Sequence, residues 1–208
     1  MRGAAVNAYW VRVAWGGIFI AVLVWSAVEP KDRATWWLEV APALVGLAVL
    51  GATWRRFPLT PLVYWAILLH AVVLMVGGHY TYAEVPLFDT LSDVLGWQRN
   101  NYDKLGHFLQ GGVPALIARE LLLRLTPLNR GGWLNFLVVC VCLAISASYE
   151  LVEWGVALVS AQAAESFLGT QGYVWDTQSD MAFALLGSVL ALLTLSRWHD
   201  RQLARFGL

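Results

Sequence analysis

Ionisable side chains recur in closely spaced pairs at the edges of three apolar stretches of the chain. Within each pair the two residues are three or four positions apart, which places both on one face of a helix. Carboxylate and imidazole groups are ligands of divalent metals such as zinc, manganese and iron, and a bound metal can activate water. The pairs are Asp103 with His107, Glu150 with Glu153, and Asp176 with Asp180.

A bound cation would neutralise the excess of negative charge at these positions. Each charged side chain costs about 2.5–3.5 kcal/mol at the centre of a membrane span, and less near its end. Lys104 and Arg99 are the only basic residues close by in the sequence, so the carboxylates require protons or a bound cation. The sequence therefore predicts a divalent metal ion, zinc or manganese, with Glu153 as a candidate general base. The predicted metal ligands are Asp103, His107, Glu150, Asp176 and Asp180.

The same side chains also have a structural interpretation. Acidic residues favour helix N-termini, and polar side chains near the ends of membrane spans often lie in the headgroup region. That interpretation does not explain Asp180 or His107, which are one turn further into their helices. The recurrence of the pairs on three helices favours a shared polar site, with His79 and Glu84 near the same level.

The composition indicates that membrane helices carry these pairs. Apolar residues make up 59% of the 208 residues, charged residues only 13%, and the mean hydropathy is +0.59, whereas soluble proteins carry about 25% charged residues. A membrane span needs about 20 predominantly apolar residues. We therefore expect an all-α polytopic membrane protein, a single domain over residues 1–208 with a bundle of about six transmembrane helices. The expected spans are residues 9–28, 36–54, 60–79, 103–124, 133–154 and 176–196.

The basic residues predict the orientation. Six spans place both termini on one side, which then holds ten of the fourteen Lys and Arg residues. Because cytoplasmic loops are enriched in Lys and Arg, we expect both termini in the cytoplasm and the paired residues at the outer leaflet. The basic and acidic residues are equal in number and no basic run is present, which argues against nucleic acid as a partner and leaves membrane lipid.

Span four and the tail allow further local predictions. Gly111, Gly112 and Pro114 predict either close packing of span four against a neighbouring helix or a kink in that span. Glu120 and Arg124 are four residues apart and are expected to pair. The segment from residue 197 onward, which contains His199, is expected to anchor the chain at the cytoplasmic surface.

Four segments carry a resemblance to a known family. They are Gly77–Tyr82, Tyr102–Phe108, Tyr149–Trp154 and Gly169–Met181. In these segments the chain resembles the YjdF family of bacterial inner-membrane proteins and, more weakly, VanZ-like membrane proteins. The resemblance implies a compact multi-span protein of the bacterial inner membrane, and it implies no particular reaction.

Three kinds of function are compatible with these residues. The leading hypothesis is a cation-binding site open to the outer leaflet that hydrolyses a lipid or lipid-linked substrate in a metal-dependent reaction. The first alternative is a proton- or cation-coupled transporter or channel, and the second is a non-catalytic membrane binding or assembly protein. A transport path would continue inward through His70, Gln110, Arg119 and Glu120.

Overall fold

The computed structural model describes residues 2–159, 167–168 and 170–207, and within these residues all regular structure is helical. This confirms the all-α prediction. Short 3-10 turns cover Tyr82–Glu84 and Ala204–Phe206. The helices are α1 (Arg2–Ala27), α2 (Arg33–Thr53), α3 (Pro61–Tyr80), α4 (Pro86–Leu95), α5 (Tyr102–Leu125), α6 (Gly132–Val159) and α7 (Asp176–Leu203).

Local sequence signals fix several helix ends. The side chain of Asp32 accepts a hydrogen bond from the backbone N–H of Thr35 and so caps α2. Proline is the first residue of both α3 and α4, where its missing N–H has no intrahelical partner to lose. Gly96 ends α4 in the left-handed conformation, with φ of 68°.

Each expected span coincides with one long helix. By length and composition, α1, α2, α3, α6 and α7 are able to cross a membrane. The sixth long helix, α5, contains more charged residues, but its 24 residues extend about 36 Å at 1.5 Å per residue, and most of them are buried inside the bundle. The short helix α4 lies between the third and fourth expected spans, and its 10 residues are too few to cross a membrane. The side of the membrane on which the termini lie stays a prediction.

Helix α5 forms the centre of the bundle and packs against α3, α6 and α7, while α1 and α2 pack on α3. Glycines allow α5 and α7 to touch through their backbones. A Cβ atom at Gly111 would overlap the carbonyl group of Ala184, and a Cβ atom at Gly187 would overlap that of Phe108. The predicted close packing at Gly111 is thus confirmed, and it brings the first turns of α5 and α7 side by side.

A buried ionic network joins the C-terminal half of α5 to its neighbours. Glu120 accepts hydrogen bonds from the backbone N–H and the hydroxyl of Thr60. Arg124 Nη1 is 2.7 Å from Glu120 Oε1, which confirms the predicted pair. His199 Nε2 is 3.1 Å from Glu120 Oε2, and His199 has no exposed surface. The prediction of a surface anchor is therefore wrong for His199, which the network holds inside the bundle.

Candidate functional site

Three of the predicted ligands meet where α5 and α7 begin, which we call the outer end of the bundle in keeping with the predicted orientation. Asp103, His107 and Asp180 each offer one ligand atom, and these three atoms lie within 4.8 Å of one another. His107 Nε2 is 3.3 Å from Asp103 Oδ1 and 3.9 Å from Asp180 Oδ2. All three side chains are buried. We call them the triad.

The hydrogen bonding of His107 leaves its Nε2 facing two carboxylates. Its Nδ1 is 3.0 Å from Gln110 Oε1, an oxygen that can only accept, so Nδ1 carries a proton and donates it. In the neutral ring, Nε2 then directs a lone pair towards the carboxylates of Asp103 and Asp180. A lone pair and two carboxylates repel one another unless a proton or a metal ion lies between them.

Two basic residues form ion pairs with the carboxylates of this site, which the sequence alone did not indicate. Lys104 Nζ is 2.5 Å from Asp180 Oδ1 and 3.1 Å from Asp176 Oδ1. Arg99 Nη1 is 2.6 Å from the same oxygen of Asp176. Asp176 therefore lies beside the triad with one carboxylate oxygen shared by two cations. Lys104 occupies one oxygen of Asp180, and the other faces His107.

Helix α6 brings two more carboxylates to the site. Glu150 is buried, and its Oε1 lies 3.9 Å from His107 Nδ1 without a hydrogen-bond partner in the described part of the chain. Glu153 is buried one turn further along α6 and faces the same cleft as Asp103 and His107. All six predicted residues thus lie at the outer end, and their roles as ligands or base stay predictions.

Helix α2 contributes a carboxylate that the sequence reasoning missed. Glu39 is only 4% exposed and lines the cleft opposite α5. The hydroxyl of Tyr149, on α6, is 3.4 Å from Glu39 Oε2. The available signal was a lone acidic residue in an otherwise apolar span, which is costly in a membrane and usually functional.

Tyr82 was also missed, and its ring explains two glycines. It lies against Gly77 and Gly106, where any Cβ atom would overlap the ring. Burial raises the pKa of the Tyr82 phenol well above its ordinary value, so this hydroxyl stays protonated at the polar end of the cleft.

His79 and Glu84, which the sequence placed near the same level, lie apart from the triad. His79 Nδ1 is 3.2 Å from the carbonyl oxygen of Ser26, and its ring packs on Trp25. Glu84 pairs with Lys31 at the surface. Both residues therefore belong to the contacts around α1 and the loop that follows it.

A cleft with a volume of about 660 Å³ leads away from the triad. Its walls come from α2, α3, α5 and α6, and its polar end contains Glu39, Tyr82, Gln110, Tyr149 and Glu153 together with Asp103 and His107. Beyond Gln110 the lining residues that the structure describes are apolar, apart from His70 and Thr53.

Comparison with known proteins agrees with this architecture. A family model described as "Predicted membrane protein (DUF2238)" matches residues 11–201. The chain is also 54% identical over 187 residues to the inner membrane protein YjdF of Escherichia coli (strain K12), an alignment that covers 90% of each chain. The chain belongs to the YjdF (DUF2238) family. No solved structure matches it significantly.

Family membership confirms the resemblance carried by the four sequence segments. Together with the apolar helices, it identifies a multi-pass protein of the inner membrane. The matched range includes the triad, both carboxylates of α6 and Glu39, so the whole site lies within the part of the chain that defines the family.

Proposed function

We propose that this YjdF-family protein binds a divalent metal ion, zinc or manganese, with Asp103, His107 and Asp180. We further propose that it uses the ion to hydrolyse a lipid or lipid-linked substrate at the outer leaflet. The observation that carries the proposal is the convergence of three buried ligand atoms within 4.8 Å of one another. The cleft that leads away from Asp103 and His107 is largely apolar, which supports a lipid as the substrate.

The spacing of the triad suits a metal. Two ligands placed about 2.0–2.1 Å from zinc at a tetrahedral angle are about 3.3 Å apart. His107 Nε2 and Asp103 Oδ1 have this separation, and Asp180 Oδ2 lies 3.9 Å from the same nitrogen. Glu150 Oε1, which has no hydrogen bond among the described residues, is the candidate for a fourth ligand.

Neighbouring residues would orient these ligands. Gln110 accepts the Nδ1 proton of His107 and so directs Nε2 at the triad. Lys104 holds one oxygen of Asp180 and leaves the other for the ion. Asp176, which the sequence predicted as a ligand, would instead position Lys104 and Arg99 through its shared oxygen.

The reaction would combine the metal with a carboxylate base. A bound divalent ion lowers the pKa of its water and polarises a phosphoryl or carbonyl oxygen. Glu153 is the predicted general base that accepts a proton from the attacking water, because it faces the cleft beside Asp103 and His107. The low-dielectric surroundings strengthen each of these interactions.

Transport is less well supported by the cleft. An ion path needs polar groups that continue inward, but beyond Gln110 the α5 side of the cleft is formed by Val113, Pro114 and Ile117. Further along α5, Glu120 is held by Thr60, Arg124 and His199. Proton or divalent-cation flux in proteoliposomes that disappears in His70→Ala would favour transport over hydrolysis.

Elemental analysis of the purified protein tests metal binding. We expect about one zinc or manganese per chain, and loss of that metal in Asp103→Asn and Asp180→Asn, since each ligand is essential to a three-residue site. Glu84→Gln is the matched control, because it removes an exposed carboxylate whose partner is Lys31. Metal-free native protein, or equal metal content in all variants, would contradict the proposal.

Hydrolysis is tested separately in vesicles of bacterial lipid with labelled headgroups. We expect release of water-soluble label that stops on chelation and returns with added metal. Glu153→Gln should retain the metal and lose about 10²–10⁴-fold in rate, as expected for removal of a general base. An unchanged rate in Glu153→Gln would exclude it from that role.

A further inference from the structure

The cleft has two chemically different parts. Its outer end is lined by the carboxylates of Glu39, Asp103 and Glu153, the imidazole of His107 and the phenols of Tyr82 and Tyr149. The remainder is lined mainly by aliphatic and small side chains, with His70 and Thr53 as polar exceptions. Examples of the apolar lining are Ala43, Val49, Ile67 and Leu121. A volume of about 660 Å³ falls within the roughly 300–1,000 Å³ of ordinary ligand pockets.

The cleft is long enough to follow a lipid chain. Its lining on α2 runs from Glu39 to Thr53, and at 1.5 Å per residue this distance is about 21 Å. The hydrocarbon core of a bilayer is about 30 Å thick, so one leaflet contributes about 15 Å. A chain that starts at the outer end would therefore stay within protein walls through the depth of its own leaflet.

The cleft opens sideways, between α2 and α6. Val49 on α2 is 54% exposed and Ile145 on α6 is 41% exposed, and both line the cleft. Helix α2 packs on α3 and, among the described residues, makes no extensive contact with α5 or α6. Because the surrounding helices are apolar enough to span a membrane, this opening faces lipid and not water.

We propose that the cleft binds one hydrocarbon chain of a membrane lipid whose phosphate headgroup lies at the triad. The headgroup part of this inference rests on the proposed function, since the phosphate would contact the metal ion there. The chain part rests on the apolar lining, the length and the lateral opening. In this arrangement the triad lies at the level where a lipid carries its phosphate ester.

Two glycines of α2 offer a matched pair of variants. Among the residues that the structure describes, a Cβ atom at either Gly46 or Gly51 would have no neighbour within 4 Å, so a larger side chain fits at both positions. Gly46 lines the cleft, whereas Gly51 lies outside it on the exposed surface of the same helix. Gly46→Leu therefore places a side chain into the cleft, and Gly51→Leu adds the same side chain next to it.

The test uses a phosphatidylglycerol with a photoreactive diazirine on one acyl chain, in vesicles that contain the full-length protein. Cross-linked peptides are mapped by mass spectrometry. In the wild type and in Gly51→Leu we expect cross-links to the cleft-lining segments of α2, α3 and α5. In Gly46→Leu we expect about tenfold fewer, which corresponds to about 1.4 kcal/mol. Equal cross-linking in the two variants, or cross-links confined to outward-facing residues, would overturn the chain-binding inference.

Competition separates the two parts of the inference. Unlabelled phosphatidylglycerol should displace the probe more effectively than uncharged diacylglycerol, and this advantage should disappear in Asp103→Asn. Equal competition by both lipids would overturn the headgroup assignment. Metal content is measured on the same samples. A Gly46→Leu variant that keeps its metal but loses cross-links supports binding of the hydrocarbon chain in the cleft. Metal-free wild-type protein that still cross-links in the cleft would contradict the proposed function and the headgroup assignment that rests on it, and would leave the chain-binding inference standing.

Discussion

The contact between α5 and α7 allows a quantitative test on two adjacent glycines. An added Cβ atom at Gly111 would overlap the carbonyl group of Ala184, so a backbone has to move. At Gly112 the nearest atom, the carbonyl oxygen of Gly187, is 3.4 Å away, which is an ordinary contact. Gly112→Ala and Gly111→Ala therefore differ in steric fit and not in chemistry.

The expected magnitudes follow from helix propensity and overpacking. Alanine is favoured over glycine in a helix by about 0.8–1.0 kcal/mol, and this applies to both variants. Overpacking costs about 1–3 kcal/mol and applies to Gly111→Ala alone. We expect Gly112→Ala to be as stable as the wild type or up to about 1 kcal/mol more stable, with Gly111→Ala about 1–3 kcal/mol less stable than Gly112→Ala.

The assay is reversible unfolding in mixed micelles, followed by tryptophan fluorescence and circular dichroism. Metal affinity is measured on the same samples, because a displacement of α7 moves Asp180 away from His107. Gly111→Ala should lose affinity and Gly112→Ala should keep it. Equal free energies of unfolding for the two variants would refute the close α5–α7 packing, and unchanged metal affinity in a destabilised Gly111→Ala would refute its link to the site.

Two further predictions concern the cap of α2 and the buried network around Glu120. Asp32→Ala should lower the free energy of unfolding by about 0.5–2 kcal/mol, towards the lower figure because the cap is partly exposed. The hydrogen bonds with Thr35 lower the pKa of Asp32 below 3.8. The stabilisation by Asp32 is therefore present above pH 3.8 and is lost as the pH falls through the lower pKa of the folded state. An Asp32→Ala variant whose free energy of unfolding depends on acid pH as the wild type's does would contradict this. Glu120→Ala leaves His199 and Arg124 without their shared buried partner, and breaking such a pair costs about 3–5 kcal/mol. The control is Glu84→Ala, which should lose less than about 1 kcal/mol in the same unfolding assay; similar losses in both would show that the network does not stabilise the fold.

The membrane fold and the polar pairs could be predicted because both depend on local spacing. Apolar runs of span length indicate helices, and separations of three or four residues place side chains on one face. Glycines in span four indicated a close helix contact, although the sequence alone did not identify α7 as the partner. For these features, the structure expected from run length and residue spacing agrees with the tertiary structure.

The rest depended on contacts between segments that are distant in sequence. Glu39 joins the site because α2 lies across the cleft from α5. A lone acidic residue in an apolar span indicates a role for Glu39, but no local pattern indicates where α2 packs. Lys104 and Arg99 pair with residues of α7 more than 70 positions away. Because these partners are distant in sequence, the spacing of charges within one helix could not identify them. His199 was misplaced because a polar segment after an apolar run is typical of a surface anchor, whereas here Glu120 and Arg119 hold it inside.

X-ray absorption spectroscopy of the metal-loaded protein tests the central claim most directly, because it reports the atoms bound to the ion. The triad predicts a first shell of oxygen and nitrogen at about 2.0–2.2 Å, with outer-shell scattering from one imidazole. That imidazole signal should vanish in His107→Gln and persist in His79→Gln, whose ring packs on Trp25 away from the triad. An ion surrounded only by water oxygens, or an imidazole signal unchanged in His107→Gln, would contradict metal binding at Asp103, His107 and Asp180.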